Sequence, residues 1–307
     1  MPVIPDYEVY PQALLALSDV GTYRERRGAR SVAMGNAAGT SEIWMQIEGR
    51  QLERGAAGST SETSYEQDIA GITVGVDSQL QGGLIAGVSL GFSEATTTMS
   101  SVHGGGTIDT TGWSLGAALT WHGATGLYVD GVAQLAWFDS DMTGVTGNSG
   151  QSYALSLEVG QEVALQDGWS IVPQAQLSYT SVDFDSFTGS DFGETVMLEA
   201  GDSLLARLGV SVDREWAGAG GTENRVYGML NLTRELMDGT SVSVGAQGFD
   251  AIDFDRDPDG TRVELGLGGS FGLGNGSYLY GDVSASQGVD ASGDAEMSGR
   301  LGFNFTW

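Results

Sequence analysis

The sequence predicts an all-β transmembrane fold: a 12-stranded antiparallel up-and-down outer-membrane β-barrel with an N-terminal α-helix inside the pore. Three observations lead there. The chain ends LGFNFTW, with Leu301, Phe303, Phe305 and Trp307 on one strand face and Gly302, Asn304 and Thr306 on the other. A barrel strand turns such an apolar row to lipid and its polar row to the lumen. The same period-two alternation, the strand period, recurs in twelve segments, roughly 41–50, 66–77, 83–93, 110–121, 127–138, 152–165, 169–180, 203–214, 225–236, 261–273, 277–287 and 296–307. Between them, short links such as SQLQG, HGATG, QDG and GNGS alternate with longer polar loops. Short periplasmic turns and long exterior loops are the habit of such barrels.

Taken in order, residues 1–40 come first and do not fit the strand pattern. PQALLALSDVGTYRERRG predicts a helix over residues 12–27, with Pro11 near its start, Gly28 just past its end and Arg24, Arg26 and Arg27 in its last turn. At 1.5 Å per residue it spans ~24 Å, about the height of the apolar band. Gly21 weakens it by about 1 kcal/mol. Residues 1–40 are therefore read as linker and pore helix, the end of a passenger region, and residues 41–307 as the barrel.

Within the barrel, Ala70, Ile72, Val74 and Val76 share the second segment's outer face, and Leu84, Ala86, Val88, Leu90 and Phe92 the third's. The fourth carries Trp113, Leu115, Ala117, Leu119 and Trp121, with an aromatic at each end. Pro173 falls on the seventh segment's outer set with Ile171, Ala175, Leu177 and Tyr179; because proline cannot donate to a ladder, it marks a bulge or break. An even strand count returns the carboxy terminus to the periplasmic side.

Composition agrees. No apolar run approaches the ~20 residues of a membrane helix, the longest being residues 13–17. Mean hydropathy is −0.08, as expected where an apolar exterior offsets a polar interior. There are no cysteines, which excludes a disulfide scaffold and thiolate metal sites and suits passage through an oxidising periplasm. The net charge of −27 argues against nucleic acid as a partner. All 13 basic residues are arginine: six lie in residues 24–54, none in 55–206 and seven beyond. Met1 is followed by neither a basic nor an apolar leader region, so the chain is expected to be the tail of a longer exported precursor.

The charges point inward. The lumen set predicted from the alternation contains Glu42, Glu48, Asp68, Asp77, Asp130, Glu158, Glu162, Asp213, Glu235, Glu264, Asp282 and Glu296, against Arg50, Arg207, Arg262 and Arg300. An arginine at the lipid midplane would cost about 2–4 kcal/mol, so charges belong inside. Twelve strands enclose a cylinder about 24 Å across. Inward glycines (Gly71, Gly75, Gly87, Gly91, Gly112, Gly116, Gly266 and Gly268) leave room for one helix of ~10–12 Å. An acidic lumen beside Arg24, Arg26, Arg27 and Arg30 places the helix inside; the alternative is a solvated helix end ahead of the first strand.

A twelve-strand barrel behind one helix, with EVYPQALLALSDVGTYRERRG over residues 8–28 and the terminal LGFNFTW, resembles the carboxy-terminal translocator domain of autotransporters (type V secretion), and within them the pertactin-like branch. The resemblance covers essentially the whole chain. It implies a bacterial outer-membrane location, an upstream passenger crossing the membrane through or beside the barrel, and a final strand (Leu301, Phe303, Phe305 and Trp307) read by the barrel-assembly machinery. Expected partners are that machinery, the chain's own passenger segment and outer-membrane lipid, with the chain a monomer. In part of the family an asparagine inside the barrel cuts the helix. Here the first 35 residues hold no asparagine, and Asn36 lies beyond the helix.

Two motifs point elsewhere and fail on their chemistry. DRDPDG matches the start of an EF-hand loop at Asp255, Asp257, Asp259 and Gly260, but position twelve is Gly266 and Pro258 disturbs the loop, so a solvated acidic exterior loop is the better reading. GDSL at 201–204 would make Ser203 a nucleophile, which needs a positioned base. Only His103 and His122 exist, and the topology sends them to opposite ends. Trp44 and Tyr280 are read as lumen packing on the helix. No catalytic residue, cofactor or metal is expected, and the chain is read as a translocator that exports and anchors a passenger. The alternatives are a plugged channel or porin and a loop-based adhesin; a surface enzyme is disfavoured by the scarcity of histidine.

Overall fold

The computed structural model describes residues 4–28, 40–189, 193–218, 221–246, 248, 250–257, 260–274, 276–289 and 293–306. Helix α1 (Ile4–Leu17) and a short α2 (Tyr23–Arg27) precede the sheet. The barrel wall starts with β1 (Ser41–Arg54), β2 (Ser64–Gln79), β3 (Leu84–Ser101), β4 (Gly104–His122), β5 (Leu127–Met142) and β6 (Val145–Gln161), which resumes as β7 (Val163–Ala164). It continues through β8 (Trp169–Phe184), β10 (Thr195–Ala217), β11 (Glu223–Glu235), β14 (Thr261–Gly274), β15 (Ser277–Gly288) and β16 (Ala295–Thr306). Each strand pairs antiparallel with its neighbours, and β16 closes on β1 from Glu42↔Thr306 to Glu53↔Ala295. Counting β6 and β7 as one, the wall is a closed twelve-stranded barrel.

The ladder breaks where Pro173 stands: pairing of β6 with β8 stops at Gly160↔Gln174 and returns at Val163↔Ile171 in the same register. It is a gap without a register shift, as expected of a residue with no N–H to donate. Links on the periplasmic side are short, as at residues 80–83, 123–126 and 165–168.

On the exterior side, several segments expected to be loops are strand. Strands β3 and β4 run on to a turn at residues 102–103, and β5 and β6 to one at 143–144. The sequence obscures this because the alternation inverts on leaving the membrane. Along β3, Val88 and Leu90 face out with Ser89 and Gly91 behind them; farther up, Glu94, Thr96 and Thr98 face out while Ala95 and Met99 are buried. Water has replaced lipid outside, and an apolar core has replaced polar groups inside.

That core lies in an external vestibule. A small sheet of β9 (Phe187–Thr188), the first part of β10, β12 (Thr240–Gly245) and β13 (Ile252–Arg256) folds over the mouth. Tyr7, Val9, Tyr10 and Leu14 of α1 are fully buried there against Met99, Ile108, Phe138, Met142, Phe184, Val196 and Val242. Each is worth roughly 1.5–3 kcal/mol in removed apolar surface. This moves the helix from its expected position: α1 begins at Ile4, not residue 12, and carries Pro11 inside it. The missing N–H at Pro11 is tolerated because tertiary burial outweighs a local penalty of about 3 kcal/mol.

The helix also ends sooner. At Ser18 the chain leaves the helix, its Oγ donating to the Leu14 carbonyl at 2.8 Å and lying 2.7 Å from Ser152 Oγ. Thr22 then caps α2: its Oγ1 accepts from the Glu25 N–H at 3.3 Å while Glu25 accepts from the Thr22 N–H at 2.6 Å. This reciprocal T-x-x-E capping box starts a second helix. Gly28 ends it at φ +66°, passing so near Tyr280 that a Cβ would sit 2.7 Å from that side chain. Only glycine meets both demands.

Candidate functional site: the helix inside the barrel

The chain between Ile4 and Arg27 runs through the lumen from the exterior vestibule to the periplasmic end, where α2 is locked to the wall by charge. Arg24 donates to Asp213 at 2.7 Å and to Ser211 at 3.0 Å, and its guanidinium lies 4.5 Å from the centre of the Tyr227 ring. Arg26 pairs with Asp130, and Arg27 bridges Glu42 and Asp77. All three predicted arginines of the described helix thus meet lumen carboxylates. Arg30 lies outside the described residues.

The acids divide their work differently from the alternation's simple picture. Glu158 accepts from the Tyr23 N–H at 2.9 Å and from the Tyr128 hydroxyl at 2.6 Å, holding the first residue of α2 rather than an arginine. Glu162 pairs across the wall with Arg225 at 3.2 Å. Asp282 and Glu48 both face Arg300, at 3.1 and 3.5 Å. Asp68 is a correction: expected in the lumen, it is exposed on the outer surface with Ala70 and Ile72. It shares their even-numbered parity, and it lies towards the exterior end of β2, where the outer face meets water.

The acid that sequence reasoning missed is Glu25. It is buried, pairs with Arg300 at 2.8 Å and Arg207 at 3.6 Å, and caps its own helix. Its signal was present as Thr22-x-x-Glu25. Buried charges of this kind hold only while paired, since removing one partner typically costs about 3–5 kcal/mol. The result is an interlocked lattice in which wall and helix neutralise each other.

At the exterior end the contacts are of another kind. Tyr7 donates to Glu194 at 2.8 Å and Tyr10 to Asn148 at 3.0 Å, each from within the apolar vestibule. Glu8 accepts from the Ser61 N–H at 2.8 Å and faces Arg256 at 3.8 Å. Arg256, from the DRDPDG segment, donates to the Thr63 and Gly55 carbonyls, both at 2.7 Å, and covers the Tyr65 ring. That segment therefore ties β13 to the β1–β2 link; Pro258 and Asp259 lie outside the described residues.

The remaining candidates are structural. Ser203 donates to Glu235 at 2.6 Å. The Tyr23 hydroxyl shares a hydrogen bond of 3.0 Å with His122 Nε2 at the periplasmic end, while His103 sits in the exterior β3–β4 turn. Trp44 and Tyr280 are buried in the lumen, Tyr280 beside the Arg26 carbonyl at 3.4 Å. On the closing strand, Leu301, Phe303 and Phe305 face outward opposite Ile47, Met45 and Ile43 of β1, while Trp307 lies outside the described residues.

Comparison with known proteins decides the family. The family described as "Autotransporter beta-domain" matches residues 43–284. The chain belongs to the autotransporter family. The adhesin BmaC autotransporter of Brucella suis is 33% identical over 334 aligned residues, which take in all of this chain and 10% of BmaC. Pertactin of Bordetella parapertussis is 28% identical over 79% of this chain and 26% of its own length. The chain thus spans about a tenth to a quarter of these autotransporters. The translocator domain of NalP from Neisseria meningitidis superposes with a TM-score of 0.73 at 16% identity, covering 97% of this chain and 98% of that one. The transport unit of AIDA-I from Escherichia coli gives 0.75, also at 16% identity, with 98% of each chain covered. At such identity these two likenesses speak for the fold. An autotransporter β-domain is an outer-membrane protein, and the lipid-facing rows of this barrel suit it to that membrane.

Proposed function

We propose that this β-domain exports an upstream passenger across the outer membrane and afterwards anchors it at the surface. The observation that carries this reading is the direction of the lumenal segment: Ile4 lies at the exterior vestibule and Arg27 beside Asp77 and Glu42 at the periplasmic end. Whatever precedes residue 4 therefore continues from the exterior side, and the chain that carried it through the barrel remains as the plug. Residues 1–40 serve as the end of the passenger region, and the barrel has no catalytic role. An adhesive passenger, as in the name of BmaC, is the class we favour.

The resemblance to autotransporters supports two further parts. The closing strand with Leu301, Phe303 and Phe305 is the segment presented to the barrel-assembly machinery, and the barrel works as a monomer. The lumenal segment of residues 4–28 offers Asp6 and Asp19 but no asparagine, so the passenger stays covalently attached unless a separate protease acts outside.

An epitope placed ahead of residue 1 behind an export leader tests the reading. It should be reached by protease on intact cells, and depletion of the assembly machinery should abolish this. An epitope confined to the periplasm of cells holding a folded barrel would defeat the proposal.

A further inference from the structure

Positive charge is rare on the outside of this barrel. Among the described residues only two arginines are exposed, Arg214 towards the periplasmic end of β10 and Arg234 at the exterior end of β11. The others are buried or half-buried. Arg214 stands just inside the periplasmic edge of the membrane. Its strand ends at Ala217, and Gly168 of the periplasmic turn passes so close to the Glu215 carbonyl that a Cβ would sit 2.3 Å from that oxygen. An arginine costs ~0–1 kcal/mol at this depth against ~2–4 at the midplane, so the position is tolerated, and tolerance alone gives it no purpose.

Its surroundings do. The Arg214 guanidinium lies 5.3 Å from the centre of the ring of Trp169, its cross-strand partner on β8. Trp216, two residues along on the same outer face and ~7 Å away, packs edge-on against Phe271 with ring centres 6.4 Å apart. The cross-strand neighbour on the other side is Val226, with Gly269 beyond it, so the row carries no second charge. Asp213 and Glu215 belong to the lumen face, where Asp213 is already held by Arg24 and Arg225. Asp167 in its turn and Glu223 at the first position of β11 lie on the aqueous side. Among the described residues no carboxylate meets Arg214. A guanidinium fixed on an indole face keeps its N–H edge for an acceptor outside the protein.

We propose that Arg214, Trp169 and Trp216 form a binding site for the phosphodiester headgroup of an anionic glycerophospholipid in the periplasmic leaflet. The guanidinium donates to the phosphate oxygens in the paired geometry that arginine favours, and the two indoles flank the headgroup at the interface. The acyl chains descend beside Val212 and Ile171, both exposed to lipid. Gly228, opposite Val212 on β11 and Leu267 on β14, leaves a shallow furrow between them for one chain. The selection is for charge as well as for phosphate. With a net charge of −27 the chain as a whole repels anions, so an anionic lipid that stays bound must be held locally.

The test is lipid retention by the full chain refolded in neutral detergent, with folding shown by heat-modifiable gel mobility. Phosphatidylglycerol and phosphatidylethanolamine of identical acyl chains are titrated separately, and bound lipid is counted by native mass spectrometry. One phosphatidylglycerol should be held about fivefold more tightly than phosphatidylethanolamine, the preference expected of one arginine at a membrane surface. Arg214→Gln should abolish that preference, Trp169→Leu should reduce it, and Arg234→Gln, at the opposite end, should leave it intact. Inorganic phosphate and the deacylated headgroup glycerophosphoglycerol, at equal concentration, should not displace the lipid. The proposal is overturned by equal retention of the two lipids, by a preference that survives Arg214→Gln, or by one lost in Arg234→Gln. Displacement by either soluble anion would likewise overturn it, assigning Arg214 to free phosphate groups.

Discussion

The two ends of the lumenal segment are held by opposite means. Around α1 the barrel behaves like the interior of a soluble protein, with Tyr7, Tyr10 and Leu14 in an apolar core beyond the membrane. Around α2, at membrane depth, ion pairs and charge-assisted hydrogen bonds dominate, beside one small apolar contact of Tyr23 with Tyr128 and Val172. The division follows from the surroundings of the wall. A strand that faces lipid must keep its polar residues inside, so the helix passing there has to be polar too. A strand that faces water can turn its apolar residues inward, and the helix there becomes apolar. One segment thus carries a greasy anchor outside and an ionic latch within.

Breaking the latch should have the largest effect. Replacing Arg24, Arg26 and Arg27 by Glu sets like charges against Asp213, Asp130, Glu42 and Asp77, at a cost of at least the ~3–5 kcal/mol of one broken buried pair. The expected outcome is expulsion of α2 and a conductance approaching that of a chain lacking residues 4–28, measured in planar bilayers. A triple variant as tight as the parent would show that the vestibule alone holds the plug.

Weakening the anchor comes next. Leu14→Ala removes a fully buried side chain and should cost about 2–5 kcal/mol, read as faster proteolysis of the segment ahead of Ser18 in the refolded barrel. Neither anchor should answer strongly to salt, because exposed ion pairs weaken with ionic strength and buried ones such as these much less. A strong salt dependence of plug release in the Leu14→Ala chain would mean that water reaches the latch.

A smaller effect concerns Asp6, buried in the vestibule outside the membrane. Neither of its oxygens meets a donor in hydrogen-bonding geometry. Burial therefore dominates the nearby Thr143 groups and raises its carboxyl above the ordinary 3.8. A folded state that binds the proton more tightly is favoured at low pH, and that contribution is lost as pH rises through the raised folded value. Asp6→Asn, which cannot ionise, should slow vestibule hydrogen exchange at neutral pH, with the advantage vanishing below 3.8. An equal effect at all pH values would assign it to packing.

Least of all, Thr22→Ala should cost α2 about 1 kcal/mol by removing the side-chain acceptor for the Glu25 N–H. Local exchange around Tyr23–Arg27 is the readout. A much larger loss would mean that Thr22 also sets the position of Glu25 between Arg207 and Arg300.

Much of this was legible in the sequence because the membrane writes in a strict code. Lipid outside and polar groups inside impose alternation on every strand at membrane depth, so strand number and the inward direction of Asp130, Glu158 and Asp282 followed from parity, and the break at Pro173 from its missing N–H. The same parity put Asp68 outside. The arginines of residues 24–27 declared a need for acids, and an acidic lumen was at hand to supply them.

What the tertiary structure decided lies where that code stops. Beyond the membrane the alternation inverts, so residues 94–109 and 139–151 look like polar loops although they are strands around a core. The start of α1 at Ile4 and its passage through Pro11 depend on Met99, Ile108 and Phe138 arriving from far along the chain. The pairing of Arg24 with Asp213 and of Arg27 with Glu42 and Asp77 depends on the height and rotation of the helix in the barrel, which no local pattern records. One strand's face is set by its own residues and its solvent, whereas the partner of a buried charge is set by the register of the whole closed sheet.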